Sequence, residues 1–223
     1  MVVKAERSAR RNKLSKISIQ GAATGTGVFT LASPATNTDR TLTLPDEAGT
    51  VLTTAGVPAS ALPAGSVIQV VQVHTATPSS QSVTASTPTN IIGLSGSITP
   101  SSTSSRIKIS VYFSGEFSFT DAHDVVLGLK RDSTIIGSQS SVGSRLYGLT
   151  SVASGYPTNA DSTQETAVCF YVDSPSTTSA VTYYPYVMTS TTCTFYLNRT
   201  SSDADNTNNE RTASVMILEE IAG

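Results

Sequence analysis

Arg106-Ile107-Lys108-Ile109-Ser110-Val111-Tyr112-Phe113-Ser114 alternates apolar and polar side chains without a break. Ile107, Ile109, Val111 and Phe113 fall on one side, and Lys108, Ser110, Tyr112 and Ser114 on the other. That period of two is the mark of a strand with one buried face. Val125, Leu127 and Leu129 repeat it, and Lys130-Arg131-Asp132-Ser133 turns the chain into Thr134-Ile135-Ile136. Working outward, residues 67–73, 166–172, 181–188, 192–197 and 213–221 read as further strands, with no helical pattern of 10–15 residues between them. The spacing predicts an antiparallel β-sandwich, jelly-roll-like, over residues 65–223. A domain of that length buries about 70% of its unfolded surface and needs no staple.

Composition agrees with an all-β chain. Ser and Thr supply 67 of 223 residues, Trp is absent, and charged residues make up 13%, against about a quarter in an ordinary domain. A coiled coil is excluded, since it draws about half its residues from Ala, Glu, Lys, Leu and Arg. A hydrophobic fraction of 38% with a net charge of −2 argues against disorder. No apolar stretch reaches the length of a membrane span, and no apolar run follows the basic start of the chain, so neither membrane insertion nor a secretory signal is expected. Charge is uneven. Lys4, Arg7, Arg10, Arg11, Lys13 and Lys16 oppose only Glu6 in the first sixteen residues, a net of +5, and the remainder carries −7. Residues 1–20 therefore read either as a basic arm that docks on an acidic surface or as a solvated terminus.

Residues 21–64 hold only short strand-like pieces: Val28, Phe29 and Leu31 after Gly25-Thr26-Gly27, then Thr41-Leu42-Thr43-Leu44, a turn at Asp46-Glu47-Ala48-Gly49, and Thr50-Val51-Leu52-Thr53. Pieces of four or five residues cannot build a core alone. They make sense as a stalk in which several copies intertwine around a shared axis.

Several runs, in their order along the chain, carry a resemblance. Gly25-Thr26-Gly27-x-Phe29-Thr30-Leu31, followed by Arg40-Thr41-Leu42-Thr43-Leu44-Pro45-Asp46-x-x-Gly49-Thr50-Val51-Leu52-Thr53-Thr54, resembles a module of bacteriophage tail fibres and related virion appendages. Leu62-Pro63-Ala64-Gly65-Ser66-Val67-Ile68-Gln69-Val70-Val71 resembles the start of their C-terminal head. Ser97 to Ile107, Leu129-Lys130-Arg131, Tyr196-Leu197-Asn198-Arg199 and the closing Val215-Met216-Ile217-Leu218-Glu219-Glu220-Ile221-Ala222 also match that head. The resemblance implies a homotrimeric virion protein: arm 1–20, stalk 21–64, head 65–223.

Chemistry-bearing residues are few. The histidines are His74 and His123, the latter in Asp121-Ala122-His123-Asp124, and no Gly-x-Ser-x-Gly nucleophile turn occurs. Glycan cleavage would need paired carboxylates. Glu116, Asp121, Asp124 and Glu165 are scattered along the chain, so no active site is expected. Cys169 and Cys193 read as buried thiols. With Val168, Phe170 and Val172 taken as the inward set, Cys169 falls on the face opposite Cys193, so no disulfide is expected. Asp203-Ala204-Asp205-Asn206-Thr207-Asn208-Asn209-Glu210 collects oxygen ligands that could hold Ca2+, but it lacks the glycine and helical flanks of an EF-hand loop and reads instead as a solvated hairpin tip. No metal and no cofactor are expected. Asn198-Arg199-Thr200 fits a glycosylation sequon but carries no weight without a secretory signal.

Binding is the remaining class. Residues 138–164 form a long connection containing Arg145, Tyr147 and Tyr156, and long connections in compact domains tend to be functional. The tyrosines read either as sugar- or protein-contacting groups or as residues that pack down on the sandwich. With Asp203 and Asn206 of the 199–211 loop, these are the candidate receptor contacts. The expected partners are the chain itself, other virion proteins through the arm, and a host surface glycan or protein, with no nucleic acid. Two roles stand: a short trimeric tail fibre whose head contacts the host, or a capsid decoration or head fibre with a structural task. Removal of residues 1–20 is expected to abolish incorporation into virions while leaving self-assembly intact. Arm-less protein found in virions at its normal level would refute the anchoring role.

Overall fold

The computed structural model describes residues 24–28, 37–39, 41, 57, 61–119, 124–139, 143–152 and 161–223. The chain divides into two compact units, Met1–Thr50 and Val51–Gly223. The basic arm with Lys4, Arg7, Arg10, Arg11, Lys13 and Lys16, most of the 21–64 stalk, and Tyr156 lie outside the described residues. So do Asp121 and His123.

Twelve strands and no α-helix make up the described part of the second unit. They are β1 (Val67–Thr75), β2 (Ser79–Val83), β3 (Thr89–Asn90), β4 (Gly96–Ile98), β5 (Arg106–Phe117), β6 (Val125–Arg131), β7 (Thr134–Ile136), β8 (Thr150–Ser151), β9 (Glu165–Asp173), β10 (Val181–Thr189), β11 (Cys193–Leu197) and β12 (Ser214–Ile221). Every pairing is antiparallel. Sheet A runs β1-β12-β5-β11-β2, with β9 on the other edge of β5; sheet B runs β3-β10-β6-β7, with β4 on β10 and β8 on β6.

The sheets face each other across one apolar core. From sheet A it takes Ile107, Ile109, Val111, Phe113 and Phe117 of β5, Met216 and Leu218 of β12, and Phe195 and Leu197 of β11. Leu127, Leu129, Val181, Tyr183 and Val187 come from sheet B. The alternation in 106–114 thus faces as its pattern predicts. Phe195 anchors an aromatic cluster, stacked on Phe117 at 4.6 Å between centroids and edge-on to Phe113 at 5.5 Å. A buried charge also joins the sheets. Asp173 of β9 is buried and accepts from Arg131 of β6 at 2.8 Å and from the Tyr183 hydroxyl of β10 at 2.7 Å. A charge buried this way is tolerated because its lone pairs are met.

The face assignment of β9 is the clearest correction. Ala167, Cys169, Tyr171 and Asp173 point inward, whereas Val168, Phe170 and Val172 point to solvent. Register decides this. Ala167 opposes Phe113, Cys169 opposes Val111, Tyr171 opposes Ile109 and Asp173 opposes Ile107. Directly paired residues share a face, so the inward set of β5 imposes its side on β9. Cys169 and Cys193 therefore both face the core. They remain free thiols, and burial pushes their pKa values up to about 12 and about 11.

β5 is longer than either strand beside it. On one edge it pairs with β12 over residues 106–112 and then with β11 over 115–117. β1 follows β12 and β2 follows β11. A seam is left where the pairs change over, and Asn198 fills it. Its side-chain amide donates to the carbonyls of Thr75 (2.9 Å) and Thr77 (3.2 Å), and its side-chain oxygen accepts from Ser214 Oγ (2.6 Å). Its backbone N–H donates to the Ser114 carbonyl at 2.9 Å, and its carbonyl accepts from the Thr212 N–H at 3.2 Å. The residue is fully buried at φ 61°, a left-handed conformation that Asn tolerates better than most residues. The sequon amide is thus consumed inside the sandwich.

Asn198→Ala strands the Thr75 and Thr77 carbonyls and keeps the left-handed backbone, so it is expected to cost about 3 kcal/mol in urea unfolding. Asn198→Asp, which turns an acceptor toward those carbonyls, is expected to cost more. A loss below about 1 kcal/mol for both would remove Asn198 from this role.

Candidate functional site

Tyr186 of β10 lies on the outer face of sheet B, opposite Gly128 of β6. A methyl group at Gly128 would collide with its ring, so the glycine is the seat on which the aromatic rests. The ring is nonetheless fully buried, because the chain following β7 folds over it. The Tyr186 hydroxyl donates to the Tyr147 carbonyl at 3.0 Å, the Leu149 N–H donates to the Leu127 carbonyl at 2.8 Å, and the Val152 N–H donates to the Val125 carbonyl at 2.9 Å. Burial pushes the Tyr186 phenol up from its ordinary value, so it stays a hydrogen-bond donor. Lys130 flanks the same ring at 5.6 Å from its centroid and donates to the Pro88 carbonyl.

This clamp shapes an open groove of about 650 Å3 beside the start of β6. It is lined by Ser86, Asp124, Val125, Val126, Ser144, Arg145, Leu146, Ser151, Val152 and Ser190. Backbone bonds brace its rim, from the Ser190 N–H to the Asp124 carbonyl (3.1 Å) and from the Ser86 N–H to the Thr189 carbonyl (2.8 Å). Four serines, one carboxylate and one exposed guanidinium, interspersed with aliphatic side chains, suit a polyhydroxylated ligand. Hydroxyls meet hydroxyls, and Arg145 can hold an acidic substituent with its planar fork. The volume lies in the usual range for small-ligand sites.

Arg145 is the predicted residue that the structure places in this groove. Tyr147 is half-buried and serves through its carbonyl, which is nearer to the packing alternative than to a free sugar platform. Asp203 and Asn206 line a separate depression of about 250 Å3 with Ala204, Asp205, Asn209, Glu210 and Arg211, sharing no residue with the groove. There the Asp203 carboxylate is held by Arg199 (2.9 Å) and by two nitrogens of Arg211 (2.6 and 2.8 Å). These bonds, led by Arg211, lower its pKa. Asn206 accepts through its side chain from the Asn208 N–H and from Asn209. The oxygen-rich stretch is therefore a self-bonded hairpin tip. No group of three or more His, Cys, Asp or Glu side chains among the described residues is arranged to hold a metal ion.

The two candidate loops do meet at one point. Ser201 Oγ donates to Asp161, Gln164 donates to the Glu210 carbonyl, and Thr212 donates to Gln164. Beneath this stitching lie two of the scattered carboxylates. Glu116 is fully buried and accepts from the Ser201 N–H at 2.6 Å, while its second oxygen has no partner; one buried oxygen of Glu165 is likewise bare. Burial raises both pKa values, Glu165 to about 7, and the charges of Asp161 and Glu210 on Glu116, and of Glu116 on Glu165, add to it. Neither lines the groove or the smaller depression.

No protein-family model and no curated protein matches the chain.

Most groove residues escaped sequence reasoning. Ser86, Ser144, Ser151 and Ser190 come from four separate segments, and in a chain with 34 serines none of them stands out. Asp124 reads from the sequence as a carboxylate beside His123, in a turn or at a strand edge, and nothing there marks it as a groove residue.

The buried carboxyl pair sets a pH dependence. Glu165 binds its proton more tightly when folded, at about 7 against an ordinary 4.5, and Glu116 shifts the same way. Stability is therefore expected to fall as pH rises from about 4.5 to about 7, by roughly 2 kcal/mol after allowance for partial solvent screening. Glu165→Gln should flatten that slope. A wild-type stability that is level or rising across this window, read from urea melts, would count against the pair.

Proposed function

We propose that this chain is a bacteriophage virion protein, a short homotrimeric tail fibre. Its basic arm docks on the tail, its stalk intertwines with two other copies, and its jelly-roll-like head contacts the host surface without catalysis. The family resemblance of residues 21–223 supports the virion setting. The observation that carries the head's role is the groove at the start of β6, where Arg145 stands exposed among four serines and Asp124. A host surface glycan bearing acidic substituents is the ligand this lining favours, since guanidinium groups hold carboxylates and phosphates in bidentate fashion. The site is held on the sheet rather than left on a free loop, because the Tyr186–Tyr147 clamp fixes the backbone two residues beyond Arg145.

The test is adsorption competition. Purified full-length protein is expected to reduce phage adsorption to host cells in a dose-dependent way. Arg145→Ala should raise the concentration needed at least tenfold, with an unchanged circular dichroism spectrum. Folded, assembled protein that fails to compete would transfer the reading to a capsid decoration or head-fibre protein.

A further inference from the structure

The two sheets differ in what covers their outer faces. On sheet B the Tyr147 carbonyl caps the Tyr186 hydroxyl, and the ring is fully buried. No described segment plays that part on sheet A. There Phe170 is 68% exposed, Val172 45%, Val168 43% and Tyr112 37%. Register aligns them in rows across the strands: Val168 beside Tyr112 beside Val215, and Phe170 beside Ser110 beside Ile217. The small Ser110 leaves a notch between Phe170 and Ile217. Aromatic and β-branched side chains turned to water on one contiguous face are what a monomer avoids.

β9 also forms a free edge. Among the described strands it pairs only with β5, and residues 166–172 contain no charge and no proline. Natural edges that meet solvent are blunted by charge, proline or bulges, because an unprotected edge recruits another chain. The inward charges at its two ends, Glu165 and Asp173, leave the seven residues between them open.

We propose that the outer face of sheet A, from β9 across β5 and β12 to β1, where Val70 is also exposed, is the surface through which the head packs against a second copy of this chain. Two observations select that occupant. The first is charge. Lys108 and Glu219 stand side by side in the row of Val172 and pair with each other at 2.6 Å, and the row of Phe170, Ser110, Ile217 and Gln72 carries no charge, so the patch has little field to draw nucleic acid or an anionic membrane. The second is area. Four strands at about 4.8 Å spacing and about eight residues at 3.3 Å present on the order of 500 Å2. With the surface that a neighbouring copy buries in turn, the contact approaches about 1,000 Å2, where specific interfaces begin. The proposal deepens the assembly part of the fibre reading and rests on that part alone. It does not depend on host contact.

The experiment uses the full chain at micromolar concentration. Native mass spectrometry records assembly, and a bulky maleimide records thiol accessibility in Phe170→Cys and in a control, Ser133→Cys, at the exposed β6–β7 turn of sheet B. Cys169 and Cys193 are buried and label slowly in both. The expected result is an assembled chain in which position 170 labels at least tenfold more slowly than position 133. Loss of assembly in Phe170→Cys itself, with wild-type circular dichroism, would also support the face. A wild-type chain that is monomeric, or an assembled chain in which both positions label at equal rates, overturns the proposal. A monomer protected at position 170 only by added phosphatidylcholine vesicles overturns it too, and assigns the face to a membrane. Failure of adsorption competition leaves all of these outcomes unchanged.

Discussion

Asn198 bonds to three strands and two loops at a point where the sheet would otherwise open. A twelve-residue strand cannot be matched along its length by either of two shorter neighbours, so sheet A contains a change of partner beside Ser114. At such a change the backbone groups of the strand ends turn toward the interior, where water cannot reach them. An unmet buried carbonyl costs about 1–3 kcal/mol, and two carbonyls face the same gap. One carboxamide with two donors and one acceptor, on a backbone that has already turned left-handed to leave β11, meets them both and still holds Ser214. The aromatic cluster around Phe195 and the seating of the 199–211 loop both depend on β11 ending at this point.

The sandwich that results has two unequal sides. On sheet B the absence of a side chain at Gly128 makes room for a tyrosine ring, and that ring draws the following loop across the sheet and ties it down through the Tyr147 carbonyl. A loop held this way can present Arg145 in a fixed place, which is what a binding site requires of its scaffold. On sheet A the same strand pattern leaves valines, a phenylalanine and a tyrosine facing out. The contrast underlies the two proposals made above, ligand contact beside sheet B and subunit contact on sheet A. The buried Glu116–Glu165 pair lies at the join between β5, β9 and the hairpin tip. It makes that corner the part of the head whose stability responds to mild acid.

The long strands were readable because their alternation is strong. The runs around 67–73, 107–114, 125–129, 134–136, 166–172, 181–188, 192–197 and 213–221 all appear as strands within a few residues. β2, β3, β4 and β8 were not foreseen. They are short and rich in Ser, Thr, Asn and Gly, and they become strands because a neighbouring strand offers its free edge. β9 was located but turned over. Its two faces are both apolar enough to be buried, so hydropathy alone favoured Val168, Phe170 and Val172, and nothing local revealed that Asp173 would find Arg131 and Tyr183 on the opposite sheet.

By itself, then, the sequence determined the class of fold, the positions of the main strands and the uneven charge along the chain, because these depend on patterns within a few residues of each other. The tertiary structure alone decided which face of β9 is inside, that Asn198 is a seam residue rather than a surface amide, and that Arg145 shares a groove with serines drawn from four segments. Those outcomes depend on register and on long-range contacts. A register shift of one residue exchanges every inside residue for an outside one, and no local pattern encodes which partner a strand will meet.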